Sequence, residues 1–144
     1  MIAGMEVSAP GRADEHATLA AARAETWTMM RIGGFDEALV RSLVFVLDCD
    51  QRLDAQAQRV LRRLPERWSR FDTARLARIV HDQAAVLRLD RDIAIESLPA
   101  LLPDDDTGEL RLLESVASVL GTAALEPCVA RRFEKLARIV SIVR

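Results

Sequence analysis

The sequence predicts an all-α fold, a bundle of six or seven helices joined by short connections. Apolar residues recur at three- and four-residue spacing along most of the chain, and no segment shows the period-two alternation of a half-buried strand. Half of the 144 residues are hydrophobic and 29% are charged, which is typical of a globular domain. Because only 4% are aromatic, we expect the core to consist mainly of Leu, Val, Ile and Ala.

We expect a single helical domain over residues 14–144, after a mobile tail of residues 1–13 that contains Gly4, Pro10 and Gly11. The formal net charge of −2 gives no overall attraction to nucleic acid. No apolar run approaches the roughly 20 residues of a membrane span, and the N-terminus lacks the features of a signal peptide. We therefore expect a cytoplasmic protein that has no transmembrane segment and binds no nucleic acid.

The first half of the chain is predicted to form three helices. The first covers residues 14–32, with Asp14 as its N-cap, and stops at Gly33 and Gly34 because glycine tolerates a left-handed cap. The second covers residues 35–47 and is apolar on so much of its surface that we place it at the centre of the bundle. A third helix follows a short polar connection. The faces expected to pack inward carry Leu19, Arg23, Trp27 and Met30 in the first helix, Phe35, Leu39, Val40, Leu43, Val44, Val46 and Leu47 in the second, and Ala57, Val60, Leu61 and Leu64 in the third.

The second half is predicted to form the remaining helices. Asp72 is the expected N-cap of the fourth, and the next one breaks near Ser97 because Pro99 removes a backbone donor. Asp106 and Glu109 have the spacing of a capping box for the helix that follows. The inward faces are expected to carry Leu76, Ile79, Val80, Ala84 and Leu87, then Leu110, Leu113, Val116, Ala117 and Leu120, and finally Val129, Phe133, Leu136, Ala137 and Val140 in the last helix, which begins at Pro127.

The two cysteines, Cys49 and Cys128, are far apart in sequence and form no C-x-x-C pair. This spacing matches neither a zinc site nor a disulfide framework. We therefore expect both to be buried free thiols of a cytosolic protein.

Two segments of the chain, residues 39–64 and 112–136, resemble each other and align with one residue of gap in the connecting loop. Each reads as a helix, a short loop and a second helix. Chance similarity between amphipathic hairpins is the alternative, but we favour an internal duplication, in which matching faces pack against each other and central helices complete the bundle. The aligned pairs are Leu39 with Leu112, Ser42 with Ser115, Val46 with Val119, Leu47 with Leu120, Leu53 with Leu125, Arg59 with Arg131, Leu61 with Phe133, and Leu64 with Leu136.

The connecting loop of each repeat resembles a loop of a known protein family. The loop VLDCD at residues 46–50, with LD at 53–54, resembles the acidic loop of the TerB-like helical domain of tellurite-resistance proteins. The second repeat matches it less closely, with VLG at 119–121 and LE at 125–126. This resemblance implies a bundle of helix–loop–helix pairs and a stress protein that responds to divalent metal.

A closer resemblance, over residues 31 to about 140, is to the C-terminal helical region of polyhydroxyalkanoate-synthase-like hydrolases of unknown function. It rests on RIGGFDEALVRSLVFV at residues 31–46 and IESLPALLP at 95–103, which are apolar and not catalytic motifs. No G-x-S-x-G nucleophile elbow occurs in the sequence, so hydrolase activity does not follow from this resemblance.

Asp48, Asp50 and Asp54 form the best candidate metal cluster, because calcium and magnesium prefer oxygen ligands. The register of an EF-hand fails, however, since Leu53 takes the place of its glycine and Arg59 that of its glutamate. The alternative is that the three aspartates are solvated loop and capping carboxylates. No cofactor is expected beyond this weak candidate for a divalent cation.

A basic patch is the candidate surface for a partner. Arg59 and Arg63 share a helix face, and Arg67, Trp68 and Arg70 follow across Pro65. Tryptophan and arginine are the residue types that dominate protein-interface hot spots. The alternative is a solvated arginine face, with Trp68 covering the edge of the bundle.

We therefore expect a non-catalytic helical interaction module, an accessory or regulatory subunit that contacts another protein or a second copy of itself. The alternative function is a TerB-like, divalent-metal-responsive stress protein. An enzyme is a third hypothesis without a reaction class, because His81 and the two cysteines show no recognised catalytic spacing.

Overall fold

The computed structural model describes residues 12–49, 55–105 and 107–142. In chain order they form α1 (Arg12–Met30), α2 (Phe35–Leu47), α3 (Ala55–Arg62), α4 (Leu64–Arg67), α5 (Thr73–Leu89), α6 (Arg91–Glu96), a first 3₁₀ helix (Leu98–Leu101), α7 (Gly108–Leu120), a second 3₁₀ helix (Gly121–Leu125) and α8 (Pro127–Ile142). These residues contain no strand, which confirms the all-α prediction. No helix within these ranges is both long enough and apolar enough to cross a membrane.

The central helix is α2, as predicted, and its bounds agree with the sequence pattern. Its residues 38–47 are all buried, because α5, α7 and α8 pack around it and α3 and the first 3₁₀ helix cover the rest. A helix that is apolar on nearly every side is stable only when neighbours surround it. The hydrophobic pattern of one segment therefore determines the arrangement of the others.

The predicted stops between helices are also present. Gly33 has a φ of 128°, a conformation that L side chains rarely adopt, and it separates α1 from α2. At the start of α2 the backbone N–H of Gly34 donates to Oε1 of Glu37 at 2.7 Å. Asp72 caps α5 as predicted, since its Oδ1 accepts the backbone N–H of Arg75 at 2.7 Å.

The start of α7 differs from the prediction. Thr107 is its N-cap, so Glu109 is too early in the helix for the capping box predicted with Asp106, which lies outside the described residues. The loop is held by Asp105, whose Oδ1 accepts the backbone N–H and the hydroxyl of Thr107, each at 2.9 Å. These hydrogen bonds, above all the one from the backbone, hold the pKa of Asp105 below its usual value.

The first helix is the least accurately predicted element. Leu19 and Trp27, expected to face inward, are 58% and 37% exposed, and Arg23 is exposed as well; among the side chains of α1 that the structure describes, Met30 alone is buried. α1 packs against the short α6, which offers little apolar surface to cover its length. The predicted N-cap Asp14 lies within α1. The predicted tail of residues 1–13 lies outside the described residues, except for its last two, which belong to α1.

The two similar hairpins pack against each other, because α7 and α8 both contact α2. Some aligned positions have the same burial: Leu39 and Leu112 are both completely buried, as are Leu64 and Leu136. Others differ, since Val46 is buried whereas Val119 is only partly buried.

The separate prediction for the face of α7 is wrong at two positions. Leu110 is 58% exposed, and Ala117 is also exposed.

A buried arginine of α2 joins this helix to α5 and α6. Arg41 is completely buried, and its Nε donates to Oε1 of Gln83 on α5 at 2.8 Å. Its Nη1 donates to the carbonyl of Ala94 at 3.0 Å and to Oγ of Ser97 at 3.1 Å, at the predicted break after α6. Nη2 has no hydrogen-bond partner among the described residues. Desolvation lowers the pKa of Arg41 to about 10, although the negative charge of Glu37 opposes this.

Replacing Arg41 is expected to destabilise the fold strongly. Arg41→Ala should lower the free energy of unfolding by about 3 kcal/mol, because it leaves a cavity and removes the hydrogen bonds of the guanidinium group to Gln83, Ala94 and Ser97. Arg41→Met should cost less, because it fills most of the volume and removes a desolvated charge. Urea denaturation followed by circular dichroism measures both. The control Arg78→Ala, at an exposed position of α5, should stay within about 0.5 kcal/mol of the parent, and an Arg41→Ala variant as stable as that control contradicts the role of Arg41.

A disulfide joins Cys49 to Cys128, with the Cα atoms 6.1 Å apart and 79 residues between them in sequence. The prediction of two free thiols is therefore wrong. Cys49 follows the end of α2 and Cys128 lies in the first turn of α8, and packing of these two helices brings the sulfur atoms together. In the cytosol, disulfides are usually transient, catalytic or redox-sensing. The predicted cytoplasmic location is thus compatible with this bond only if the pair responds to redox conditions.

Loss of the disulfide is expected to cost about 4 kcal/mol of stability in the chain-entropy account, because the bond closes a long loop of the unfolded chain. Urea denaturation of the Cys49→Ser/Cys128→Ser variant measures this. Wild-type protein in excess dithiothreitol should lose the same amount, with an intact mass that shows two added hydrogens. Equal unfolding free energies with and without the bond would contradict this prediction.

Candidate functional site

The predicted basic patch divides into two parts in the structure. Arg59, Arg63 and Arg67 line a groove, whereas Trp68 and Arg70 lie outside it. The groove has a volume of about 370 Å³. One wall is formed by α3 and α4, and the other by residues 118–123, where α7 ends and the second 3₁₀ helix begins. We call this feature the arginine groove.

Arg67 connects the two walls of the arginine groove. Its Nη1 donates to Oγ of Ser118 at 2.5 Å, and its Nη2 donates to the Ser118 carbonyl at 3.0 Å. Ser118 lies in the last turn of α7, where the free carbonyl groups carry the negative end of the helix dipole. The guanidinium group therefore stabilises the end of α7 and fixes α4 beside it.

Arg59 and Arg63 carry positive charges that no described acidic side chain pairs with. Both are exposed, and their guanidinium groups form no ion pair or side-chain hydrogen bond with a described residue. They are four residues apart, so both point from the same face of the α3–α4 wall. No acidic side chain occurs among the described residues that line the groove. Two neighbouring like charges in a concave surface create a field that attracts an anionic group.

Arg70, by contrast, is already paired. Its Nε lies 2.6 Å from Oδ1 of Asp36, and Nη2 of Arg75 lies 3.0 Å from Oδ2 of the same carboxylate. The guanidinium carbon of Arg70 also lies 5.4 Å from the ring centre of Trp68 and 5.1 Å from that of Phe71. Trp68 is half-buried against the core, and Phe71 is completely buried. These contacts attach the α4–α5 connection to the start of α2.

The structure describes one of the three aspartates of the candidate metal cluster. Asp48 follows the end of α2 and is half-buried, whereas Asp50 and Asp54 lie outside the described residues. Over residues 12–49, 55–105 and 107–142, no group of three or more His, Cys, Asp or Glu side chains has the geometry to hold a metal ion. The metal site therefore stays a prediction.

The cysteine–histidine pairing considered from the sequence does not apply to this form of the protein. Both sulfur atoms are engaged in the disulfide, so neither is available as a thiolate nucleophile. His81 is exposed on α5, where it lines an apolar groove between α3 and α5.

The second wall of the arginine groove and the disulfide beside it are not among the predictions from the sequence. Ser118 is 51 residues from Arg67, and a lone serine on the exposed side of an amphipathic helix has no signal that marks it. Only the packing of the two hairpins on α2 places them side by side.

Comparison with known proteins finds no relative for this chain. Neither a protein-family model, nor a curated protein sequence, nor a solved structure matches it. The resemblances to the TerB-like domain and to the hydrolase-associated helical region therefore stay predictions from the sequence. The functional argument depends on the geometry of the arginine groove alone.

Proposed function

We propose that this protein is a non-catalytic interaction module, an accessory or regulatory subunit that binds an acidic segment of another protein in the arginine groove. The observation that carries this proposal is the pair Arg59 and Arg63, two exposed guanidinium groups that form no ion pair with a described residue, on a groove with no acid among its described lining residues.

The shape and charge of the groove favour a peptide carboxylate as the bound group. Its volume of about 370 Å³ accommodates a few side chains, and the guanidinium group of Arg67 offsets the negative end of the α7 dipole in its second wall. Arginine binds carboxylates through two parallel hydrogen bonds, which provide direction as well as charge. A nucleic acid is a poorer fit, because the net charge of the chain is −2 and phosphate backbones are bound by extended basic surfaces.

The chemistry of the groove favours binding over a reaction. The titratable side chains that line it are the three arginines. Arginine stays protonated at physiological pH and so donates hydrogen bonds without exchanging protons with a substrate. These side chains supply fixed positions and positive charge, and a docking surface requires both.

A binding experiment with charge-matched variants tests the proposal. Fluorescence anisotropy of a labelled oligoglutamate peptide should show that Arg59→Ala/Arg63→Ala weakens binding by about tenfold or more, as expected for the loss of charge-assisted hydrogen bonds. The control Arg78→Ala/Arg138→Ala removes the same charge at two exposed positions outside the groove and should leave the affinity nearly unchanged. Affinity should also fall as the ionic strength rises.

Two outcomes would count against this function. If both double variants weaken binding equally, the peptide responds to overall charge and not to the groove. If a short DNA duplex binds as tightly as the peptide and shows the same dependence on Arg59 and Arg63, the groove is not selective for a protein carboxylate.

A further inference from the structure

The disulfide lies at one end of the arginine groove. Cys49 and Cys128 border a small cavity of about 180 Å³, which is also lined by Gln56 and Ala123. Gln56 and Ala123 line the arginine groove as well, one on each wall. The two cavities therefore adjoin, and the disulfide closes the end of the groove that is formed by the start of α3.

The order of the elements along the chain shows how the disulfide can restrain the two walls of the groove. Cys49 lies between α2 and the α3 wall in the chain, and Cys128 follows the second 3₁₀ helix of the opposite wall, so the bond joins the chain before one wall to the chain after the other. At the far end of the groove the walls are joined by the hydrogen bonds of Arg67 to Ser118. Arg59 and Arg63 therefore lie between two cross-links.

The helix that carries Arg59 depends on such attachments. α3 has eight residues, and of these only Ala57 and Leu61 are buried. A helix of this length is not stable alone in water, because its few backbone hydrogen bonds do not offset the entropy lost when its first turn forms. If the disulfide is removed, α3 keeps its apolar contacts with α2 and α5 and its connection to α4. The spacing of Arg59 from the opposite wall is then less restricted.

The sulfur atoms are placed where a reductant can approach them. Cys49 and Cys128 are both half-buried, and the cavity that they border is open to solvent. In thiol–disulfide exchange, the thiolate of a dithiol reductant attacks one sulfur and forms a mixed disulfide, and the second cysteine of the protein leaves as a thiolate. The other thiol of the reductant then releases the first cysteine. Two electrons and two protons pass to the protein, and the reductant becomes a disulfide.

We infer that the Cys49–Cys128 disulfide is a redox lock on the arginine groove. The oxidised form holds both walls in the geometry that binds an acidic protein segment, and reduction by a dithiol frees the α3 wall and weakens that binding. This inference rests on the proposed function, since it concerns the regulation of the same groove. It also gives the disulfide a role in a reducing compartment, where a permanent structural bond does not persist.

The test compares the oxidised and reduced forms of the whole protein. Binding of the labelled oligoglutamate peptide is measured before and after treatment with dithiothreitol, under conditions in which circular dichroism shows that both forms are folded. Reduction should weaken binding by about tenfold, because a preorganised surface becomes one that must be ordered on binding. Removal of the reductant and reoxidation should restore the affinity.

Hydrogen exchange shows whether the change is local. On reduction, the amides of α3 should exchange by local opening at a lower free energy than those of α2 and α5, whose protection falls only as far as the global free energy of unfolding does. If α3 in the reduced protein exchanges at the same free energy as α2 and α5, the bond stabilises the fold as a whole and does not lock the groove, and the inference is overturned.

Two variants serve as controls. Cys49→Ser/Cys128→Ser should bind the peptide as weakly as the reduced protein and should not respond to dithiothreitol; because wild-type protein is itself measured in both states, the test does not depend on this variant. The Arg59→Ala/Arg63→Ala variant should bind weakly in both redox states.

The failures of the two proposals are distinguishable. Equal affinity of the oxidised and reduced protein for the peptide overturns the redox lock and leaves the proposed function intact. Tighter binding after reduction also overturns it. Failure of the oxidised protein to bind the peptide overturns the proposed function, and with it the lock.

Discussion

Residues 38–47 of α2 are all buried, and helices from both halves of the chain pack against them. A segment so apolar has no stable place at a surface, so α5, α7 and α8 must surround it. The one charged side chain among these residues, Arg41, is buried with the rest and finds its acceptors on α5 and around the end of α6. Burial of α2 thus arranges the apolar core and also fixes the register of the helices around it.

The arginine groove is a consequence of this arrangement. Its walls come from different halves of the chain, and both rest on α2: α3 and α7 each pack against it. The hydrogen bonds of Arg67 join the walls at one end, and the disulfide joins them at the other. Between these attachments lie Arg59 and Arg63, whose guanidinium groups form no ion pair with a described residue. A fold that depends on one central helix therefore places its uncompensated charge where the outer helices meet.

The sequence pattern predicted structure correctly where burial and helix capping depend on residues close together in the chain. The bounds of α2, the stop at Gly33 and the cap at Asp72 were all predictable, because each depends on neighbours within about one helical turn. The outer elements were less predictable. The first helix shows apolar spacing, yet Leu19 and Trp27 remain exposed, since its main packing partner is the short α6. Apolar spacing shows that a face is suitable for burial, whereas burial itself requires a partner of matching length.

The sequence by itself determined the all-α class, the central helix and the presence of arginines that share one helix face. Only the tertiary structure decided which of those arginines remain available. Arg70 pairs with Asp36 and Arg67 binds Ser118, whereas Arg59 and Arg63 have no such partner among the residues that the structure describes. It also decided that Cys49 and Cys128 are bonded, although 79 residues separate them. The physical reason is the same in each case. Helix formation is governed by contacts between near neighbours, whereas the pairing of charges and sulfur atoms depends on which helix faces meet after the chain has packed around α2.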